Sequence, residues 1–106
     1  MPMQLIAMHT TVSTDEQADR LATGAVEQGL AACVQVEPVR STYVWKGRIE
    51  RENEVRILFK TTMGRYQALA RWLNDHHPYE LPAIYATAVR EASDGYAQWV
   101  REAVGP

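Results

Sequence analysis

The chain is short of cysteine, of glycine and of surplus charge, and each shortage removes a class of function. Its one cysteine, Cys33, has no partner for an intramolecular disulfide. That fits a reducing compartment. Its six glycines form no phosphate-gripping loop. A formal net charge of −2 lacks the basic excess of a nucleic-acid surface. No apolar run is long enough to span a bilayer, and Leu5–Met8 is too short, and unflanked by basic residues, for a secretory leader. The expectation is a soluble cytoplasmic protein with neither a nucleic-acid nor a membrane partner.

What remains suits a single domain over residues 1–106. Apolar residues make up 46% of the chain, enough for a core. Met3–Val12 is expected as a strand. Ser13 with Glu16, and Thr14 with Gln17, form two overlapping capping boxes. Behind them Ala18, Leu21, Ala22, Ala25 and Val26 share one helix face. Gly29 is placed to end that helix in a left-handed turn. Leu30–Val36 reads as a buried strand, and Glu37-Pro38 as a bulge or an edge position. Arg40–Lys46 resumes the strand, Lys46-Gly47 turns it, and Arg48–Thr61 returns.

Thr62 is the expected cap of a second helix carrying Tyr66, Leu69, Ala70 and Leu73. Pro82–Val89 reads as a fourth strand. Ser93 or Asp94 caps a last helix with Tyr96, Trp99, Val100 and Ala103 on one side. Strand, helix, strand, strand, helix, strand, then an extra helix is the split βαβ order of an α+β, ferredoxin-like fold with an antiparallel sheet. A doubly wound parallel sheet needs a helix between the second and third strands, and residues 37–61 offer none.

Each arm of the central hairpin holds about 14 residues, roughly 45 Å at about 3.3 Å per residue. A compact domain of this size has a radius of gyration of about 13 Å. The hairpin should therefore project, carrying Tyr43, Val44, Trp45 and Ile49 into water. A closed homo-oligomer would cover them. The alternative is a hairpin that folds back on its own helix.

Residues 76–82, HHPYELP, hold the densest chemistry. Pro78 disfavours helix in His77, so the second helix should stop there. Imidazoles are common transition-metal ligands. A distorted helix end could bring His76 and His77 together, with His9 or Glu80 as further donors. Alternatively, both histidines merely complement the helix macrodipole. His77 with Glu80 could form an acid/base pair, and Tyr79 could donate a proton. No activated nucleophile accompanies them, so no catalytic role is expected. Cys33, inside an apolar run, reads as core. The aromatic residues suit interface packing, or the wall of a pocket between subunits.

Several blocks occur together in one order: Gly29-Leu30-Ala31-Ala32-Cys33-Val34; Ser41, Tyr43, Trp45, Gly47 and Ile49; Glu54 with Lys60-Thr61; His77-Pro78-Tyr79-Glu80 and Pro82; Tyr96 with Trp99. With these blocks the sequence closely resembles the CutA family of divalent-cation tolerance proteins, from about Ile6 to Val100. Gln35 stands where asparagine is common, Thr87-Ala88-Val89 lacks a frequent proline, and a usual glycine is displaced to Gly95. The HPYE segment is intact. The resemblance implies a ferredoxin-like homotrimer, akin in architecture to PII signalling trimers. It also implies a link to copper and other divalent cations, with no established catalysis. It tips His9, His76, His77 and Glu80 towards metal ligands. The rival expectation is a PII-like scaffold holding a small molecule or protein at its subunit clefts.

Overall fold

The computed structural model describes residues 3–106. Strand β1 (Leu5–Val12) leads into helix α1 (Asp15–Glu27), then the long strands β2 (Cys33–Trp45) and β3 (Arg48–Thr62). A 3-10 turn at Met63–Arg65 opens helix α2 (Tyr66–His76), followed by β4 (Tyr85–Ala88) and α3 (Asp94–Val104). The strands lie in the order β2-β3-β1-β4, with antiparallel neighbours throughout. This is the split βαβ arrangement that the element order predicts.

Local chemistry accounts for the boundaries. Of the two overlapping boxes only Thr14/Gln17 closes around the start of α1. The Gln17 amide oxygen accepts from the backbone N–H groups of both Ser13 and Thr14. The Ser13 hydroxyl is thereby left for another partner. At the far end Gly29 sits at φ +70. Its N–H donates to Val26 and that of Leu30 to Ala25, the paired bonds of a Schellman cap. Lys46 and Gly47 both have positive φ, the signature of a two-residue type I′ hairpin turn.

Pro38 does not bulge the strand. It pairs with Val55 in unbroken register on the sheet edge, where no N–H is required. Other expectations need correction. Thr62 is buried in β3 and makes no side-chain cap, and Ser93 caps α3 without a side-chain bond. The fourth strand is only four residues long. Cys33 is half-buried rather than core. It opens an edge strand opposite Lys60, and strand alternation gives the helix-covered face to Val34 instead.

Helices α1 and α2 cover one sheet face. Leu21 and Ala25 of α1, and Leu69 and Leu73 of α2, pack on Met8, Val12, Ile57 and Phe59. Helix α3 crosses to the other face, where Ala97 and Val100 bury Leu5. Beyond Val55 strand β3 has no β1 partner, so the β2–β3 hairpin projects. The molecule is 46 Å long against 25 and 21 Å across, with a radius of gyration of 14.4 Å. Val44 and Ile49 near its tip are 72% and 65% exposed.

Where α1 crosses α2, Gly24 lies under Trp72. In a helix Gly→Ala normally gains about 1 kcal/mol. Here the added methyl would meet Trp72 Cζ2 and Cη2 at 2.6 and 2.7 Å. Overpacking of this kind costs about 1–3 kcal/mol. Gly24→Ala is therefore expected to destabilise by about 1 kcal/mol in urea unfolding, and Trp72→Leu in the same chain should return the ordinary alanine gain.

Candidate functional site

Helix α2 ends where Pro78 requires it to. His77 is the C-cap, already extended at φ −73, ψ 138. The two histidines part at this point. The His76 ring stacks on Trp72 at 4.6 Å, and its Nδ1 lies 2.8 Å from the Trp72 carbonyl oxygen. A carbonyl only accepts, so Nδ1 carries a hydrogen, and in the neutral ring Nε2 is the nitrogen with the lone pair. His76 is exposed.

His77 turns inward. Its Nδ1 accepts from the Tyr79 N–H at 3.1 Å. Nε2 therefore bears the hydrogen and donates to the Thr11 carbonyl at 2.9 Å, with the Thr10 hydroxyl also at 2.9 Å. Both ring nitrogens are engaged within the fold. Burial pulls the His77 pKa below its ordinary value, opposed by the Thr11 carbonyl and the Glu54 charge.

Tyr79 extends this network. Its hydroxyl donates to Glu54 Oε2 at 2.6 Å and accepts from the Ser13 hydroxyl at 2.9 Å. Burial, then the Glu54 bond, pushes its pKa up to about 12. Such a phenol is a poor proton donor at neutral pH, which speaks against the acid/base role considered for it. Glu54 itself is only 7% exposed. Arg56 shares β3 with Glu50, Glu52 and Glu54 and could pair with them. Arg56 instead grips Glu37, its cross-strand neighbour, at 2.7 and 3.0 Å.

His9 lies on the other side of the sheet. Its ring stacks on Tyr85 at 4.7 Å, and its Nε2 is 3.1 Å from the Thr87 hydroxyl. Its Nδ1 is buried with no partner among the described residues. Burial, then the Arg56 charge, lowers its pKa. The end of α2 does approach the end of β1. It does so from the helix side, at Thr10, whereas strand alternation aims His9 the opposite way. Glu80 is exposed in the loop after Pro78. Within one chain the four candidate ligands thus do not converge. Among the described residues no group of three or more His, Cys, Asp and Glu is placed to hold a metal ion.

Beside the network the projecting hairpin and the loop from Pro78 to Ala83 border an open cavity of about 900 Å³. Tyr43, Trp45, Glu50, Glu52, Glu54 and Tyr79 contribute to its wall. Ser13, Thr10 and Thr11 went unrecognised as site residues in the sequence. Their only local signal was a threonine pair and a cap at a strand end.

The model of the CutA1 divalent ion tolerance protein family matches residues 6–103. The chain belongs to that family. Among CutA proteins, the Xenopus laevis homologue is 36% identical over 94% of this chain and 67% of its own length. The Homo sapiens protein is 36% identical over 96% of this chain and 58% of its own length. This chain thus spans about three fifths to two thirds of those relatives. The solved CutA of Synechococcus elongatus PCC7942 superposes with a TM-score of 0.93 at 43% identity, covering 97% of this chain and 92% of that one. A divalent cation tolerance CutA of Archaeoglobus fulgidus, described as periplasmic, gives 0.93 at 28% identity over 95% and 99%. Among the described residues of this CutA-family chain, no helix is long and apolar enough to cross a membrane.

Proposed function

We propose that this chain is a non-enzymatic, cytoplasmic homotrimer that binds divalent cations, copper foremost. The observation that carries the metal reading is the state of His76. Its Nδ1–H is tied to a backbone carbonyl, which leaves Nε2 on an exposed ring with its lone pair outward. Metal-ligating histidines are held in this way by the second nitrogen. Cu²⁺ favours nitrogen and oxygen donors. One ring gives weak binding. Water, Glu80 and the His9 of a neighbouring copy are the donors that would complete the set. His77 joins only if its ring leaves Thr10 and Thr11, so it ranks last.

Copper titration of the untagged protein tests this. His76→Ala is expected to weaken binding more than tenfold and to abolish copper quenching of Trp72 fluorescence, while Glu80→Gln costs less. Unchanged affinity and quenching in His76→Ala would sink the site.

A second reading is favoured by the cavity: a PII-like trimeric scaffold holding a small molecule at its clefts. Pockets of this size with a few polar groups on an aromatic wall are typical ligand sites.

A further inference from the structure

One glycine of α1 touches one indole of α2, and that contact reaches His76. A Cβ on Gly24 would lie 2.6 and 2.7 Å from Cζ2 and Cη2 of Trp72, and 3.9 Å from its Cε2. These three distances describe an approach to the edge of the ring, in its plane, rather than over its face. The face of Trp72 is taken by His76, whose ring centre is 4.6 Å away and whose plane is tilted by 26°. The two residues stand four apart in α2, so their side chains are neighbours along the helix. Trp72 is itself half-buried against the core between the helices.

An exposed imidazole has no packing to choose its rotamer. His76 is exposed, yet lying against the indole confines its ring to the orientation in which Nδ1 reaches the Trp72 carbonyl oxygen at 2.8 Å. We propose that Trp72, seated by the missing side chain at Gly24, is a positioning residue for His76 as a metal ligand. The stack fixes which nitrogen faces outward before any ion arrives, so less ordering is left to do on binding. The inference rests on the copper reading of His76 above.

A methyl at position 24 meets the indole edge-on. To regain ordinary contact at about 3.5–4.0 Å the ring must slide along its own plane by roughly an ångström. That motion shears it against the His76 ring and loosens the Nδ1 bond. The plainer account of Trp72 is that it only fills space between two helices. The two accounts part when stability and ligand orientation are restored separately.

Copper is titrated calorimetrically into the untagged full chain. Gly24→Ala is expected to weaken binding roughly tenfold, as loss of a ligand-orienting partner does. Trp72→Phe added to Gly24→Ala leaves room for the methyl and keeps a ring under His76, so affinity should return. Trp72→Leu added to Gly24→Ala should restore stability in urea but not the stack, and copper should stay weakly bound. Unchanged affinity in Gly24→Ala, or affinity that recovers together with stability in the leucine variant, would leave Trp72 a space-filler and overturn the proposal. Nitrogen NMR of the metal-free protein at about pH 8, above the ordinary imidazole range, reads the orientation directly. The His76 ring should be held in the Nδ1–H form in the unsubstituted chain and with phenylalanine, and should become a mixture of both forms in Gly24→Ala and with leucine. If His76→Ala binds copper unchanged, the copper reading falls, and these ring signals still decide whether Trp72 orients His76. One and the same tautomer in every variant would overturn the proposal whatever copper does.

Discussion

His77→Ala is expected to lower the unfolding free energy by about 3 kcal/mol, with the loop after Pro78 becoming the first site of proteolytic cleavage. The ring joins three segments: the carbonyl of Thr11, the hydroxyl of Thr10 and the N–H of Tyr79. Thr10 is 1% exposed. Removing the imidazole strands its hydroxyl in an apolar layer, and an unsatisfied buried group costs about 1–3 kcal/mol. The lost packing against Tyr79, whose ring centre is 4.9 Å away, adds to this. Urea unfolding measures the loss. A change below about 0.5 kcal/mol would show that the ring does not hold the loop.

The same contacts set a pH dependence. Protonation must occur at Nδ1, where it points a second donor at the Tyr79 N–H. Burial already holds the folded-state pKa below the ordinary 6.5. Between that depressed value and 6.5 the unfolded chain binds more protons, so stability rises with pH there. The stabilisation is complete above about pH 7.5. It is lost as pH falls through 6.5 towards the folded pKa. His9 is displaced in the same direction. Urea midpoints from pH 7.5 to 5.5 should therefore fall, and His77→Ala should flatten part of that slope. An unchanged slope would assign the effect to His9 alone.

The fold was legible in the sequence because its signals are local. The Thr14 cap, the Gly29 stop, the Lys46-Gly47 turn and the Pro78 break each act within a few residues, and together they fix the element order. The site was less legible because it is built from long-range pairings. Nothing near Glu54 announces Tyr79, 25 residues away. Nothing near Thr10 announces His77, 67 residues away. Adjacent histidines looked like a pair, yet one caps the helix and turns inward while the other stays on the helix and stacks on Trp72. Period-2 alternation could have separated His9 from Thr10 in advance. It could not say which face the end of α2 would reach. Arg56 shows the same limit: its partner Glu37 follows from strand register, which composition does not contain.

Val44→Asp with Ile49→Asp is expected to abolish the proposed trimer while leaving the fold of each chain intact. The two residues face each other across the hairpin next to its turn and lie largely in water in a single chain. Covering each such side chain is worth about 1.5–3 kcal/mol. A trimer repeats the gain in every copy. A carboxylate in their place would be buried without a partner, at a cost of about 3–5 kcal/mol per site, or roughly a thousandfold or more in association. Light scattering after gel filtration should therefore move from three times the 12.0 kDa chain mass to one, with helical and strand circular dichroism retained. The core contacts of Phe59, Leu69 and Leu73 do not reach the hairpin tip, so the chain has no reason to unfold. Copper binding completed by a neighbour's His9 should weaken with the mass change, whereas binding by His76 and its own chain's donors should not. If the doubly substituted protein keeps the trimer mass, the tip is not what joins the copies. If the unsubstituted protein already sediments as a single chain at low micromolar concentration, exposed valine and isoleucine are tolerated and the assembly falls with them.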